Sequence, residues 1–323
     1  MREMATLYID RKEVALRHKG KSLELRQADG EIRRVPFNMV ERIVIHGSVE
    51  TDTGTLGALA DAGIGVALLT GRFGRCQASL TGRFGNDVQR RIAQYRAHLD
   101  PAASSTIAAC LLRRKLAAQQ RLLSSAERLR PDRRHPLIKG RRTLQELRMR
   151  IAEENMTLEQ LRGIEGAAAS AYFSAYRNLF PESLGFTARR RRPPPDPVNA
   201  LLSLGYTLLY AESVKSVHAA GLDPFLGYLH EPAHGRESLA ADFMEPLRPR
   251  IDALVWRLFR DRELRDEHFT RQEGSCLLGK TGRARFYAAY EEEAAALRRW
   301  LRLFTHAFIR RLPGAEMPEE IRP

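Results

Sequence analysis

The apolar pattern changes period once along this chain, near Asn86, and a chain that does so must build two kinds of layer. Before that point, apolar residues alternate with polar ones in short runs, as in strands with one buried face. Residues 5–10 (ATLYID), 14–18 and 22–26 each read as strands. Asp29-Gly30 supplies a tight turn before residues 31–37, which predicts a hairpin. Residues 42–46 (RIVIH) and 66–70 (VALLT) are further strands, with a short helix over residues 55–62 between them. The segments Gly71-Arg72-Phe73-Gly74 and Gly82-Arg83-Phe84-Gly85 share one pattern. They read either as β-turns at the ends of a hairpin or as loops that hand Arg72 and Arg83 to phosphate.

After Asn86 the period is 3.6. Helices are predicted over residues 87–99, 105–129, 143–154, from Thr157 to about residue 180, and over 198–220. Thr157 and Gln160 have the spacing of a capping box. Asp100-Pro101 and residues 131–136 read as breaks. Arg189, Arg190 and two more arginines, followed by three prolines, form a stretch that cannot continue a helix and reads as an exposed loop. Asp196-Pro197 restarts the helix, and the next segment is apolar on most sides, so it is expected at the centre. From Ser238 the chain is helical again, although Pro246 and Pro249 must kink or divide it. Two or three further helices are expected up to Arg311, then a frayed tail. The fold class is α+β: a small β domain, residues 1–88, then a larger all-helical domain, residues 89–323. A chain of 323 residues is long enough to bury two cores.

Charge narrows the partners. There are 53 Lys and Arg against 39 Asp and Glu, a net +14, which favours a polyanion such as nucleic acid. The plainer alternative is an arginine-rich composition without functional meaning. Cys76, Cys110 and Cys276 are too scattered for a zinc motif or a disulfide framework, which fits a reducing compartment. The opening MREMATLYIDRKEV has no apolar signal-like core, and no apolar run reaches the ~20 residues that span a bilayer. The expected setting is cytoplasmic.

Four residues stand out chemically. Steps of three and four from Leu158 run through Leu161, Glu165, Ala168, Tyr172, Tyr176 and Leu179, so Glu165 lies on an apolar stripe. A carboxylate there needs a partner or a metal, and an arginine could be that partner. His230 lies in a loop, GYLHEPAHGRESL. His234 follows four residues later, but Pro232 argues against a helical zinc pair. Asp242 and Glu245, at i and i+3, share a helix face beside Leu239, Phe243 and Leu247. Their like charges repel unless a cation intervenes, either a metal or one of Arg236, Arg248 and Arg250. Three carboxylates and an imidazole suit Mg2+ or Mn2+, the imidazole favouring Mn2+.

The same segments carry a resemblance. Gly163-Ile-Glu165-Gly166, Pro197-Val-Asn199, Gly205-Tyr206, Gly221-Leu-Asp223-Pro224, Gly227-Tyr228-Leu229-His230 and Ser238-Leu239…Asp242-Phe-Met-Glu245-Pro-Leu-Arg248-Pro249 resemble, in that order, the CRISPR-associated adaptation integrases. These are the larger proteins of the spacer-acquisition complex. Gln94-Tyr95 and Gly279-Lys280-Thr-Gly282-Arg283 also look like family segments. The resemblance implies a β-sandwich-like N-terminal domain, a helical catalytic domain, a homodimer and a small ferredoxin-like partner protein. It matches Glu165, His230 and Glu245 to metal ligands and Asp242 to a supporting acid, while the spacing leaves open which of Asp242 and Glu245 touches the ion. It implies a DNA endonuclease and integrase that inserts short fragments into a repeat array on double-stranded DNA, by attack of a 3′-hydroxyl. Lys280, Arg283, Arg72, Arg83, Arg189 and Arg190 are candidates, on charge, to hold the DNA backbone. The competing readings are a non-catalytic basic scaffold and a repair nuclease on branched DNA.

Overall fold

The structure, a computed structural model, describes residues 5–10, 13–70, 75–80, 87–191, 193–272 and 274–314. Arg72, Arg83 and their glycine-flanked segments lie outside these residues.

The first part holds strands β1 (Ala5–Ile9), β2 (Val14–Lys19), β3 (Ser22–Arg26), β4 (Ile32–Pro36), β5 (Val40–His46) and β6 (Val49–Thr51). Helix α1 (Thr53–Asp61) and strands β7 (Gly65–Thr70) and β8 (Arg75–Leu80) complete it. The strands form two four-stranded sheets, ordered β1-β5-β7-β8 and β4-β3-β2-β6. The β3–β4 hairpin turns as its sequence predicts. Gly30 takes a φ of +86°, and Asp29 accepts a hydrogen bond from the Glu31 amide at 3.0 Å.

The alternation along β5 explains how this part meets the helices. Ile43 and Ile45 enter a core with Leu16, Leu23, Leu59 and Val66. Val44, with Ala67 and Leu69 of β7, enters the helical core instead. A strand buried on both faces must be apolar at successive positions, which is why residues 43–45 read IVI. Each such buried aliphatic side chain is worth about 1.5–3 kcal/mol relative to exposure. Polar ties cross the same seam. Arg42 pairs with the buried Glu212, Arg298 reaches Glu212 at 3.0 Å and Thr6 at 2.7 Å, and Tyr8 stacks on Tyr287 at 4.2 Å.

The second part comprises α2 (Val88–Leu99), α3 (Pro101–Leu129), α4 (Arg134–Glu153), α5 (Leu158–Tyr176), α6 (Pro197–Ala219), α7 (Ser238–Met244) and α8 (Arg248–Arg260). A hairpin of β9 (Phe269–Gln272) and β10 (Ser275–Leu278) precedes α9 (Lys280–Ile309). Helix α6 is the central one, with most of its residues buried.

Three sequence expectations are corrected. Asp100 ends α2 but also caps α3, accepting from the Ala102 amide at 2.9 Å, so α3 starts at Pro101 rather than at residue 105. Helix α4 starts at Arg134 rather than at residue 143, because Pro136 falls in its first turn, where no amide has to be donated. The last part is one hairpin and one long helix, not two or three helices; four-residue strands are too short to register as a period. Among the described residues no helix is long and apolar enough to cross a membrane.

Candidate metal centre

Glu165 is delivered by α5. Its capping box is formed: the Gln160 amide donates to Thr157 Oγ1 at 3.3 Å, and the Thr157 amide to Gln160 Oε1 at 2.9 Å. That fixes the helix phase. Leu161, Ala168, Tyr172, Tyr176 and Leu179 are buried as the spacing predicts, and Glu165 sits at the edge of their stripe with its side chain 22% exposed.

His230 is delivered by the loop between α6 and α7, which α2 braces. Gln94, fully buried, donates to the carbonyls of Asp223 and Leu226 at 2.8 and 3.1 Å and accepts from the Asp223 amide at 2.8 Å. Tyr95 donates to Asp223 at 2.8 Å, which gives the Gln94-Tyr95 pair a structural reason. Gly227 has no room for a side chain: a Cβ there would lie 2.8 Å from the His230 carbonyl and from Ser238. The turn before His230 is therefore tight, and Tyr228 and Leu229 are buried in it.

Asp242 and Glu245 are both buried but serve different atoms. Asp242 is wholly enclosed. Its Oδ2 accepts from the amides of Tyr228 and Leu229 at 2.6 and 3.0 Å, and its Oδ1 faces the His230 amide at 3.0 Å and His230 Nδ1 at 2.7 Å. A carboxylate against Nδ1 favours a proton there and leaves Nε2 as the lone-pair nitrogen. Glu245 lies one residue beyond α7, which stops because Pro246 has no amide to donate. Its Oε1 is 3.9 Å from His230 Nε2 and 2.8 Å from Arg248 Nε, and its Oε2 is 2.7 Å from Lys115 Nζ. Burial opposes the charge on Glu245, but Arg248, Lys115 and His230 outweigh it and hold its carboxyl down at about 2.

Glu165, His230 and Glu245 thus converge from three separate stretches of chain, each with a ligand atom within 4.8 Å of the others. The donors fit a hard divalent ion. One carboxyl is held ionised, and one imidazole nitrogen faces it across 3.9 Å, close to twice a metal–ligand bond of ~2.0–2.1 Å. Glu245 Oε2 is buried and meets the Lys115 ammonium at 2.7 Å without a well-directed hydrogen bond. His234 is exposed and not part of the group.

Two features escaped the sequence reading. Lys115 bridges Glu165 and Glu245, with 2.7 Å to each. Its signal was present: it interrupts the buried α3 stripe Ala108, Leu111, Leu112, Leu116, Leu123. Burial alone would lower its pKa, but Glu245 and Glu165 outweigh that and raise it. The second is Asp252 of α8, buried beneath the site. Tyr172 donates to its Oδ2 at 2.6 Å, Tyr206 donates to its Oδ1, and Tyr176 donates to its carbonyl at 2.7 Å. Arg248 lies over the Tyr206 ring at 4.6 Å.

The basic candidates divide. Lys280 and Arg190 are exposed. Arg283 is turned inward, donating to Asp10 at 2.7 Å and to the Leu278 carbonyl at 2.8 Å. Arg189 is half-buried, bonded to Asn199 at 2.9 Å and Ser203 at 3.2 Å, with its guanidinium 5.4 Å from the Tyr206 ring centre. The expectation that the arginine run is wholly exposed therefore fails at Arg189: hydrogen bonds and an aromatic face compensate its burial.

Residues 7–292 match the family model described as CRISPR associated protein Cas1. A CRISPR-associated endonuclease Cas1 of Thermodesulfovibrio yellowstonii is 37% identical over 314 residues, 96% of this chain and 97% of that protein. Among solved structures, a Cas1 protein from Thermotoga maritima superposes with a TM-score of 0.83 at 24% identity, covering 94% of this chain and 96% of that one. A casposase bound to integration product gives 0.81 at 21% identity, covering 99% and 96%. With the family model spanning most of its length and a relative of this identity matching nearly end to end, the chain belongs to the Cas1 family.

Proposed function

We propose that this protein is a metal-dependent DNA endonuclease and integrase that inserts short DNA fragments into a repeat array. The observation that carries the reading is the convergence of Glu165, His230 and Glu245. The relative from Thermodesulfovibrio yellowstonii bears the name endonuclease, and family membership supports the same activity here.

In this reading Glu165, His230 and Glu245 hold Mg2+ or Mn2+. When bound, the ion polarises the scissile phosphate and offsets charge developing on its oxygens. Asp242 is the supporting acid, not a ligand. Its oxygens are committed to three backbone amides and to His230 Nδ1, which fixes the ring so that Nε2 faces Glu245. Arg248 holds Glu245 in place through its Oε1, at 2.8 Å. No side chain of this chain acts as nucleophile; the attacking group is the 3′-hydroxyl of an incoming DNA end, or water in simple cleavage. Lys280 and Arg190 are exposed and suited to phosphate, whereas Arg189 and Arg283 act inside the protein. Division of the chain at residues 88 and 89 places every proposed ligand in the helical part. A homodimer, the small ferredoxin-like partner and a cytoplasmic setting belong to the same proposal and rest on family membership.

The test uses the full chain with Mn2+ and with labelled duplex ends. Glu165→Ala and His230→Ala are each expected to abolish strand transfer and cleavage while duplex binding stays close to that of the parent. Normal strand transfer by both variants would sink the enzyme reading and leave a basic scaffold. A strong preference for forked over blunt substrates would favour a repair nuclease instead.

A further inference from the structure

Lys115 reaches the centre from α3, a helix that supplies none of the three proposed ligands. Its ammonium lies 2.7 Å from Glu165 Oε1 and 2.7 Å from Glu245 Oε2, with only 9% of the side chain exposed. We infer that Lys115 is the resident counter-cation of the metal centre: it neutralises the two carboxylates when no ion is bound, and a divalent ion binds by replacing it between them. The inference rests on the metal-centre reading above.

Three observations carry it. First, Lys115 sits on a stripe whose other members include Leu111, Leu112 and Leu116, all buried. An ammonium is costly there unless it is paired, and its pairs are two of the proposed ligands. Second, the two contacts differ. The contact with Glu165 is a directed hydrogen bond, whereas the equally short contact with Glu245 Oε2 is less well directed. Lys115 therefore balances the charge of Glu245 without saturating its lone pairs. Third, Glu245 Oε1 already faces Arg248 at 2.8 Å. An incoming divalent ion would put three cations on two carboxylates at close quarters, so one must withdraw. Arg248 is held by the Tyr206 ring beneath it. Lys115 carries a compact charge on a flexible four-carbon stem and can withdraw by rotating its own bonds. Lys115 is thus a positioning residue that occupies the space between the two carboxylates and gives way to the metal.

The opposite role, a brace that assembles the site for the metal, predicts the opposite sign. Calorimetric titration of the full-length protein with Mn2+ separates the two. Lys115→Met and Lys115→Gln are expected to bind Mn2+ about tenfold tighter or more, since a competing charge has gone. Their metal-free Tm is expected to fall and their metal-induced rise in Tm to grow. Unchanged or weaker Mn2+ binding by both variants overturns the inference. Glu245→Gln is the control: Mn2+ binding by the parent that survives this change, or none in the parent at all, overturns the metal-centre reading and the exchange with it. If neither Lys115 variant folds, the Mn2+-loaded parent structure decides. Lys115 Nζ more than about 4 Å from both carboxylates, beyond ion-pair range, supports exchange, and Nζ still on both overturns it.

Discussion

Two buried carboxyls on neighbouring turns of the chain, Glu245 and Asp252, answer burial in opposite ways. Glu245 is surrounded by cations, Arg248 at 2.8 Å and Lys115 at 2.7 Å, and its carboxyl is held at about 2. Asp252 is surrounded by neutral donors, Tyr172 and Tyr206, and burial pushes its carboxyl up to about 6 against their hydrogen bonds. Both oxygens of Asp252 are satisfied, whereas Glu245 keeps a buried oxygen without a directed hydrogen bond. Burial alone therefore does not mark a functional acid. What sets Glu245 apart from Asp252 is the pair of cations in direct contact with it.

The contrast breaks most visibly in activity. Glu245→Gln keeps the shape and removes the charge. It is expected to lower metal-dependent strand transfer on the order of a thousandfold, the loss of several kcal/mol of charge stabilisation. Asp252→Asn, assayed where it is folded, is expected to retain most of the rate. Equal losses in the two variants would erase the distinction.

The next effect is on stability, and its sign is specific. The carboxyl of Asp252 is raised from an ordinary 3.8 to about 6 in the folded protein. Its contribution is therefore complete below about 3.8 and is lost as pH rises through 6, by at most about 3 kcal/mol for a shift of this size. Denaturant unfolding between pH 4 and pH 7 is expected to show this fall in the parent and a flatter profile in Asp252→Asn. A profile unchanged by the substitution would show that Asp252 titrates as an ordinary acid.

A smaller effect separates Asp242 from the three proposed ligands. Asp242→Asn keeps the enclosed shape but weakens the hold on His230 Nδ1, and a supporting residue of this kind is worth roughly 10–100-fold in metal affinity. Complete loss of Mn2+ binding would instead make Asp242 a ligand. The smallest effects concern the basic residues. Lys280→Ala is expected to reduce the salt dependence of DNA binding by about one ion and leave Tm alone. Arg283→Ala, which loses the contact with Asp10, is expected to do the reverse, costing about 1 kcal/mol of stability. Binding measured against salt for the two variants, beside their melting curves, would tell them apart.

Much of this was legible in the residues, for reasons that differ by element. The β3–β4 hairpin was announced by Asp29-Gly30, and α5 by its capping box, because both signals are local. The apolar stripe through Glu165 came from simple counting, and the structure buries it as counted. The site needed more. Glu165, His230 and Glu245 lie far apart along the chain, and the resemblance grouped them where periodicity could not. Lys115 is a lysine amid leucines on α3, but its partners Glu165 and Glu245 lie on other elements that only tertiary packing brings to it. The Asp252 cluster was missed because three tyrosines on two helices meet it only through packing of α5, α6 and α8. The β9–β10 hairpin and the early start of α4 were lost to boundary effects: strands of four residues, and a proline that is harmless in a first turn.

The central claim is that Glu165, His230 and Glu245 hold one ion while Asp242 only orients His230. Crystals of the full chain grown with Mn2+ and measured at the manganese absorption edge test it directly. The expected result is a single anomalous peak within bonding distance, about 2.0–2.3 Å, of Glu165, His230 Nε2 and Glu245, with Asp242 still on His230 Nδ1. A peak bonded to Asp242 while Glu245 stays on Arg248 and Lys115, or no peak in crystals whose protein cleaves DNA with Mn2+, would contradict it.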